Sequence, residues 1–241
     1  MFSTSDEGLV YQYHHTDALL ANSKRGATNA DADSIYRIGS ISKLLTLYVF
    51  LIHDGDRHFN DPIADHVPEL LQAEDNWNSI TPAWNDITIG DLAGQMAGLA
   101  RDFGLADLST PSIMKLFGPA AREAFPELPA GQAPTCGYLR ADGTFPACTL
   151  QDYIDGIASE SPIFPAAYTP VYSNEAFALL GLALSKITGM SQEEAFNTAL
   201  VDQLPLSGTS YTVPPKITGR DMIPGNPLLS NWNSELGVFG P

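Results

Sequence analysis

The order of apolar and polar positions divides the chain before any single residue is considered. "GLVYQYHHTD", residues 8–17, alternates apolar and polar positions with aromatic and β-branched members, and "SIYRIG", residues 34–39, does the same more briefly. Both patterns predict strands, because successive side chains of a strand face opposite ways. At Ser40 the period changes. Leu44, Leu45, Leu47, Tyr48, Phe50, Leu51 and Ile52 cover every face of a helix expected to end near Gly55, and an apolar surface of that kind predicts burial all round.

"HFNDPIADHVPEL", residues 58–70, contains Asp-Pro and Val-Pro, and a proline pushes the residue before it out of the α region, so a surface connection is expected. In "TIGDLAGQMAG", residues 88–98, Thr88 and Asp91 have capping-box spacing, Leu92 and Met96 share a face, and Gly98 is placed to stop the helix. Residues 101–146 mix short helical pieces with many prolines and glycines and read as a long excursion. "NEAFALLGLALSKITG", residues 174–189, predicts a strongly apolar helix, and "SQEEAFNTALVDQL", residues 191–204, predicts another, opened by Ser191 and Glu194 and stopped by Pro205. From residue 205 onward the chain is proline-rich with little periodicity, and no repeat or low-complexity tract occurs. The opening strands therefore find too few partners in this sequence for a complete sheet.

Composition narrows the function classes. With 241 residues, 44% hydrophobic and 17% charged, the chain can bury the core of one large domain or two interleaved ones. A net charge of -16 leaves no basic footprint for nucleic acid or for anionic lipid heads, so neither is expected as a partner. The apolar run from Leu44 to Ile52, interrupted by Thr46, falls far short of the roughly 20 residues that span a bilayer. The start, "MFSTSDEGLV", lacks a basic segment followed by an apolar one, so no signal peptide is read in this chain. Cys136 and Cys148 bracket a loop punctuated by glycine, proline and aspartate and are expected to form a disulfide rather than stand as two thiols. Closing a loop of that size stabilises by about 3 kcal/mol in the chain-entropy view. Such a bridge favours a secreted, extracellular protein.

Ser40 stands where a predicted strand gives way to a helix, and Lys43 follows one turn later on the same face. A serine hydroxyl becomes a nucleophile when a base takes its proton, and a lysine amine can do so where desolvation or another cation favours its neutral form. At a helix N-terminus the serine also gains the positive end of the dipole, and its N–H can face a developing oxyanion. Read alone, the pair leaves a second possibility open: Ser40 caps the helix and Lys43 reaches solvent. Tyr172 and Asn174 lie two apart, so in an extended segment their side chains point the same way, just before a helix that Asn174 can cap. A tyrosine beside a lysine can accept and donate a proton, and an asparagine amide can hold both a substrate carbonyl and the lysine. Capping by Asn174 or Ser173, with Tyr172 simply packed, is the other reading.

Taken together, "SISK" at residues 40–43 and "YSN" at residues 172–174 resemble the serine β-lactamase and penicillin-binding protein superfamily, in its class C-like branch with Tyr-x-Asn. "YRIGSISKLLT", "FNDPIADHVPEL", "ITIGDLAGQMAGLARD" and "YSNEAFALLGLALSKITGMS" are similar to linking segments of that family, and the resemblance runs from about residue 9 to about residue 214. The Cys-bracketed insertion looks most like that of fungal secreted members. The resemblance implies an α+β, β-lactamase/transpeptidase-like fold, with a helical domain inserted into an α/β domain that carries an antiparallel sheet. On this reading residues 1–43 hold the first strands and nucleophile segment, residues 44–204 the mostly helical domain, and residues 205–241 a return segment toward the rest of the sheet.

Ser40 would be acylated, Lys43 would help remove its proton, Tyr172 would protonate the leaving group and activate the second nucleophile, and Asn174 would position the substrate. The implied activity is a serine hydrolase acting on an ester, amide or β-lactam-type bond of a small molecule or peptide, with no cofactor and no metal. A non-catalytic binding or scaffold member of the same fold, or an acyltransferase, is the alternative.

Two departures stand out. Where relatives carry His-Thr-Ser-Gly, this chain has Gln95, Met96, Ala97 and Gly98, which implies that polar support around the site has changed rather than its chemistry. The family's later Lys-Thr-Gly type motif has no counterpart, since both copies of "KITG", at Lys186 and Lys216, interpose an isoleucine. The chain is accordingly expected to be the N-terminal portion of a longer protein, whose remaining part would be its partner in the sheet. His14 and His15 are adjacent and face opposite ways on a strand, and His53, His58 and His66 are separated by Gly55 and Pro62, so neither set is read as a metal site. Trp77, Trp84 and Trp232 are read as packing residues before groove residues.

Overall fold

The computed structural model describes residues 11–21, 26–72, 81–103, 136, 148–206, 208–212 and 219–222. These fall into two compact units, one formed by the described residues up to Ser42 together with those from Phe196 onward, the other by those from Lys43 to Ala195.

The first unit contains helix α1 (Ala18–Ala21) and a 3-10 turn, Gly39–Ile41, that leads into the next helix. Its extended backbone pairs at one point. Ile35 N–H donates to Arg220 O at 2.9 Å and Ile35 O accepts from Met222 N–H at 2.9 Å, a parallel bridge centred on Asp221. The strand expected over residues 34–39 is thus reduced to Ile35. Residues 11–17 form no strand, and Tyr11 and Tyr13 are exposed. Alternation supplies two faces, but a strand also needs a neighbour for its N–H and C=O groups. The first unit also includes a π-helical turn, Asn197–Val201, and a contact between Phe196 and Tyr211 with ring centroids 5.8 Å apart.

The second unit is built around helices α2 (Ser42–His53, from its second residue), α3 (Ile63–His66), α4 (Ile89–Ala93), α5 (Leu150–Ser159), α6 (Asn174–Thr188) and α7 (Gln192–Phe196, short of its last residue). α6 is its centre. Ala176, Leu179, Leu180, Ala183 and Leu184 are buried on it, and α3 and α4 pack against it. The 3-10 turn Pro68–Gln72 joins α3 to α5, whose Tyr153, Ile154 and Ile157 are also buried. Two elements are opened by complete capping boxes. Thr88 and Asp91 start α4, and Thr149 and Asp152 start α5, each threonine accepting from the aspartate N–H while the aspartate accepts from the threonine N–H. Ser191 and Glu194 make the same exchange ahead of α7, as the spacing predicts.

Three expectations are corrected here. α2 is not buried all round: only Val49 and Phe50 are, while Leu44 is 67% exposed and Tyr48, Leu51 and Ile52 are exposed as well. Its buried stripe is the one that meets Phe59, whose ring centroid lies 5.7 Å from that of Phe50. The segment read as a surface connection instead enters the core through Ile63, Ala64, Val67 and Leu70. Pro62 and Pro68 redirect the backbone between these buried positions, and Ile63 N–H donates to Ile87 O while Ile89 N–H donates to Asp61 O, antiparallel across the Pro62–Thr88 bridge. Lastly, α4 ends at Ala93 rather than at Gly98, because Gln95 adopts φ 60, outside the helical region. Trp84 packs in the core, and Trp77 and Trp232 lie outside the described residues.

Cys136 and Cys148 are joined in a disulfide, as the sequence predicts, with Cα atoms 5.0 Å apart and both residues buried. The intervening insertion and residues 213–218, which include Lys216, lie outside the described residues.

Gly156, inside α5, offers a test of this packing. A Cβ there would lie 2.2 Å from the ring of Phe103, which is itself seated edge-on against Tyr153 at 5.7 Å. Helix propensity alone favours Gly156→Ala by about 1 kcal/mol, but overpacking a filled core costs about 1–3 kcal/mol. The substitution is expected to lower the stability measured by urea unfolding, and an increase would show that Phe103 yields without strain.

Candidate active site

Tyr172, Ser173 and Asn174 run extended into α6, and the alternation of an extended chain divides their side chains between two sides. Ser173, with φ -133 and ψ 125, is the N-cap: its Oγ accepts from Ala176 N–H at 3.0 Å and donates to Ala100 O at 2.6 Å. The cap is therefore Ser173 and not Asn174. A serine Oγ is short enough to return to the first turn while buried, and this leaves the Asn174 side chain to face the other way with Tyr172.

On that side the two meet Lys43 of α2. Its Nζ donates to the Tyr172 hydroxyl at 2.8 Å and to Asn174 Oδ1, and lies 4.7 Å from the Tyr172 ring centre and 5.7 Å from that of Phe177. Residues 129 and 131 positions apart in sequence thus share one ammonium group. Lys43 is half-buried and Tyr172 is exposed, so the cluster opens to solvent through the tyrosine. Ser40 lies in the 3-10 turn Gly39–Ile41, immediately before α2, and is exposed.

The loop from Gln95 to Asp102 holds this arrangement in place. Gln95 O accepts from Val171 N–H at 2.9 Å. Its side-chain amide spans the backbone of Ser173, receiving Ser173 N–H at Oε1 and donating from Nε2 to Ser173 O at 3.1 Å. One amide thereby does for Ser173 what a neighbouring strand would do. Polar support expected to be lost with the His-Thr-Ser-Gly pattern is supplied here by Gln95 itself. Gly98, at φ 70, passes so close to the 163–165 backbone that a Cβ would lie 2.0 Å from Phe164 O, while its own carbonyl accepts from Ile163 and Phe164. Only glycine fits there.

At the end of the loop, Asn174 N–H donates to Arg101 O at 2.7 Å, and Asn174 Nδ2 donates to an oxygen of Asp102. The other Asp102 oxygen accepts from Arg101 Nε at 3.0 Å, and the Arg101 guanidinium stands 5.4 Å from the Tyr172 ring centre. Gln95, Arg101 and Asp102 received no role in the sequence reading. Arg101 and Asp102 do close the family-like stretch "ITIGDLAGQMAGLARD", and that position was the one available signal.

Beneath Asn174, Glu175 turns inward and is buried. Burial first, then the neighbouring Glu160 and Asp102 carboxyls, raise its pKa from an ordinary 4.5 to about 10, so it is a neutral acid at physiological pH. Tyr153, also fully buried, is held well above its usual range by burial and by Glu175. Other titratable residues stand apart from this cluster. His58 faces the Asp54 carboxylate at 2.8 Å, His66 faces Asp61 at 3.2 Å, and His53 Nε2 lies 2.9 Å from Ala195 O. Lys186, at the end of α6, pairs with Glu69 at 3.3 Å.

Sequence and structure comparisons bear on the family and the fold. A profile of the Beta-lactamase family matches residues 6–227. The chain is 29% identical over 244 residues to a probable hydrolase of Phoma sp., covering 99% of this chain and 38% of that protein. It is 28% identical over 236 residues to a beta-lactamase-like protein of Arthroderma benhamiae, covering 97% of this chain and 36% of that protein. The chain thus spans less than two-fifths of the length of these two relatives. Among solved structures, a class C beta-lactamase from Rhodobacter sphaeroides aligns with a TM-score of 0.51 at 21% identity, over 81% of this chain and 42% of that one, a likeness of fold.

The buried acid makes stability depend on pH. Below the ordinary carboxyl range Glu175 holds its proton both folded and unfolded; as pH rises the unfolded chain releases it first, so stability falls from about pH 4.5 toward about pH 10. Glu175→Gln, neutral at every pH, is expected to flatten that fall in thermal unfolding followed from pH 5 to 9. Equal slopes in the two proteins would place the dependence elsewhere.

Proposed function

The chain belongs to the beta-lactamase family, and on that premise we propose that it carries the acylating half of a serine hydrolase. The observation that supports the reading most is the convergence of Lys43, Tyr172 and Asn174, with Lys43 Nζ 2.8 Å from the Tyr172 hydroxyl. A lysine and a tyrosine joined by one hydrogen bond form a proton relay, and an amide beside them is suited to hold an acyl carbonyl.

In the proposed reaction Ser40 Oγ bonds to the acyl carbon of an ester, amide or β-lactam-type substrate. Its proton passes to the Lys43–Tyr172 pair and from there to the leaving oxygen or nitrogen as the carbonyl re-forms and the scissile bond breaks. Water then attacks the Ser40 ester and gives its proton to the same pair, and the acid departs as Ser40 regains its hydroxyl. Neither half-reaction needs a metal or an organic cofactor. The apolar helical region over residues 44–204 is proposed to be the inserted domain of an α/β fold, and the Cys136–Cys148 disulfide supports a secreted protein.

Incubation with a fluorophosphonate or penicillin-type probe, followed by intact-mass spectrometry, is expected to add one probe to the chain and none to its Ser40→Ala variant. Tyr172→Phe is expected to slow the addition by about 10²–10⁴-fold, the usual contribution of a general acid or base. No addition, or addition that survives Ser40→Ala, would favour a binding or scaffold role. Product analysis with competing amines and alcohols separates hydrolysis from acyl transfer.

A further inference from the structure

We propose that Asp102 is a positioning residue that decides which end of the Asn174 amide faces Lys43. The inference rests on reading Lys43 and Asn174 as active-site groups. An asparagine amide is nearly symmetric in shape, and its two ends differ chiefly in that one accepts and the other donates. Nothing in the packing of a planar group of that size distinguishes them. Hydrogen bonding does.

Asp102 supplies the distinction. Its carboxylate can only accept, and its side chain is 8% exposed, so water has little access to replace a missing partner. One oxygen takes the Asn174 Nδ2 proton and the other takes that of Arg101 Nε at 3.0 Å. With the NH₂ end fixed on Asp102, the carbonyl end is directed to Lys43, whose ammonium can only donate. Turned by half a rotation, the amide would set NH₂ against the ammonium and a carbonyl against the carboxylate, losing both bonds and adding two repulsions. Charge-assisted bonds of this kind are about twice as strong as neutral ones, so the preference is decisive.

The location of Asp102 fits this role. Asn174 N–H already donates to Arg101 O at 2.7 Å, so the Arg101–Asp102 segment grips Asn174 through both backbone and side chain. Arg101 Nε donates to the other carboxylate oxygen, which favours the plane in which the first oxygen meets Asn174 Nδ2. Asp102 acts through Asn174 and is not itself proposed to touch the acyl group.

The rate of probe addition to Ser40 is measured in the full chain and in Asp102→Ala, Asp102→Asn, Asn174→Ala and the Asp102→Ala/Asn174→Ala double variant, well below the unfolding temperature of each. Misorientation of one catalytic group is expected to slow Asp102→Ala by about 10–100-fold. Asp102→Asn, whose Oδ1 can still accept from Asn174, should recover most of that loss. In the Asn174→Ala background Asp102→Ala should add less than about twofold, because the two residues act as a unit. A normal rate in Asp102→Ala, or the same loss in the absence of Asn174, would overturn the inference.

If the unaltered chain takes no probe at Ser40, the acylation reading fails by itself and the inference is decided by NMR. The Asn174 side-chain NH₂ signal, identified by its disappearance in Asn174→Ala, should be protected from solvent exchange in the unaltered chain and in Asp102→Asn, and should exchange freely in Asp102→Ala. Equal exchange in all three would overturn it.

Discussion

Ser173 is the residue on which the candidate site depends, because its burial fixes the side on which its two neighbours stand. Four hydrogen bonds hold it: its N–H and C=O to the Gln95 amide, and its Oγ to Ala100 O and from Ala176 N–H. With the middle residue committed to the core, an extended chain has no freedom left in Tyr172 and Asn174; both must face outward together. The cluster with Lys43 follows from that single commitment. A one-residue slip would bury the tyrosine and the asparagine and expose the serine, reversing every contact.

Electrostatics around the cluster are arranged in layers. Lys43 and Arg101 bring two cations to the Tyr172 ring, and Asp102 places one carboxylate between Arg101 and Asn174. Glu175, adjacent in sequence and buried, would add a second negative charge at close range, but its burial holds it neutral. The Asn174 amide is consequently polarised by one carboxylate at one end and one ammonium at the other. In a chain whose formal charge is -16, this restraint is local and owes nothing to the average composition.

What the sequence revealed and what it concealed divide along the range of the interactions. Capping boxes at Thr88, Thr149 and Ser191 depend on residues three apart, and the two that were sought in the sequence were legible there. The disulfide was legible too, through a loop short enough to close. The common side of Tyr172 and Asn174 followed from strand geometry. By contrast, Gln95 to Ser173 and Asp102 to Asn174 join residues 78 and 72 positions apart, and no local period marks them. α2 misled for a related reason: an apolar helix predicts a demand for burial, but which of its faces is met depends on partners that periodicity does not name. The strand expected over residues 8–17 misled likewise in its described part, residues 11–17, since alternation describes a face and not the neighbour that must hydrogen-bond its edge.

Gln95 shows how narrow the choice of side chain becomes when a side chain stands in for backbone. Its site asks for three properties at once: tolerance of a left-handed φ of 60, enough length to reach the Ser173 peptide, and one group that both donates and accepts. Glycine has only the first. Asparagine suits the backbone better and carries the right group, but is one methylene too short; glutamate has the length and lacks the donor. Glutamine meets the last two and bears the conformational cost of the first. The alphabet available to this loop is therefore smaller than its irregular path would suggest, and its tolerance of change is set by a peptide group seventy-eight residues away.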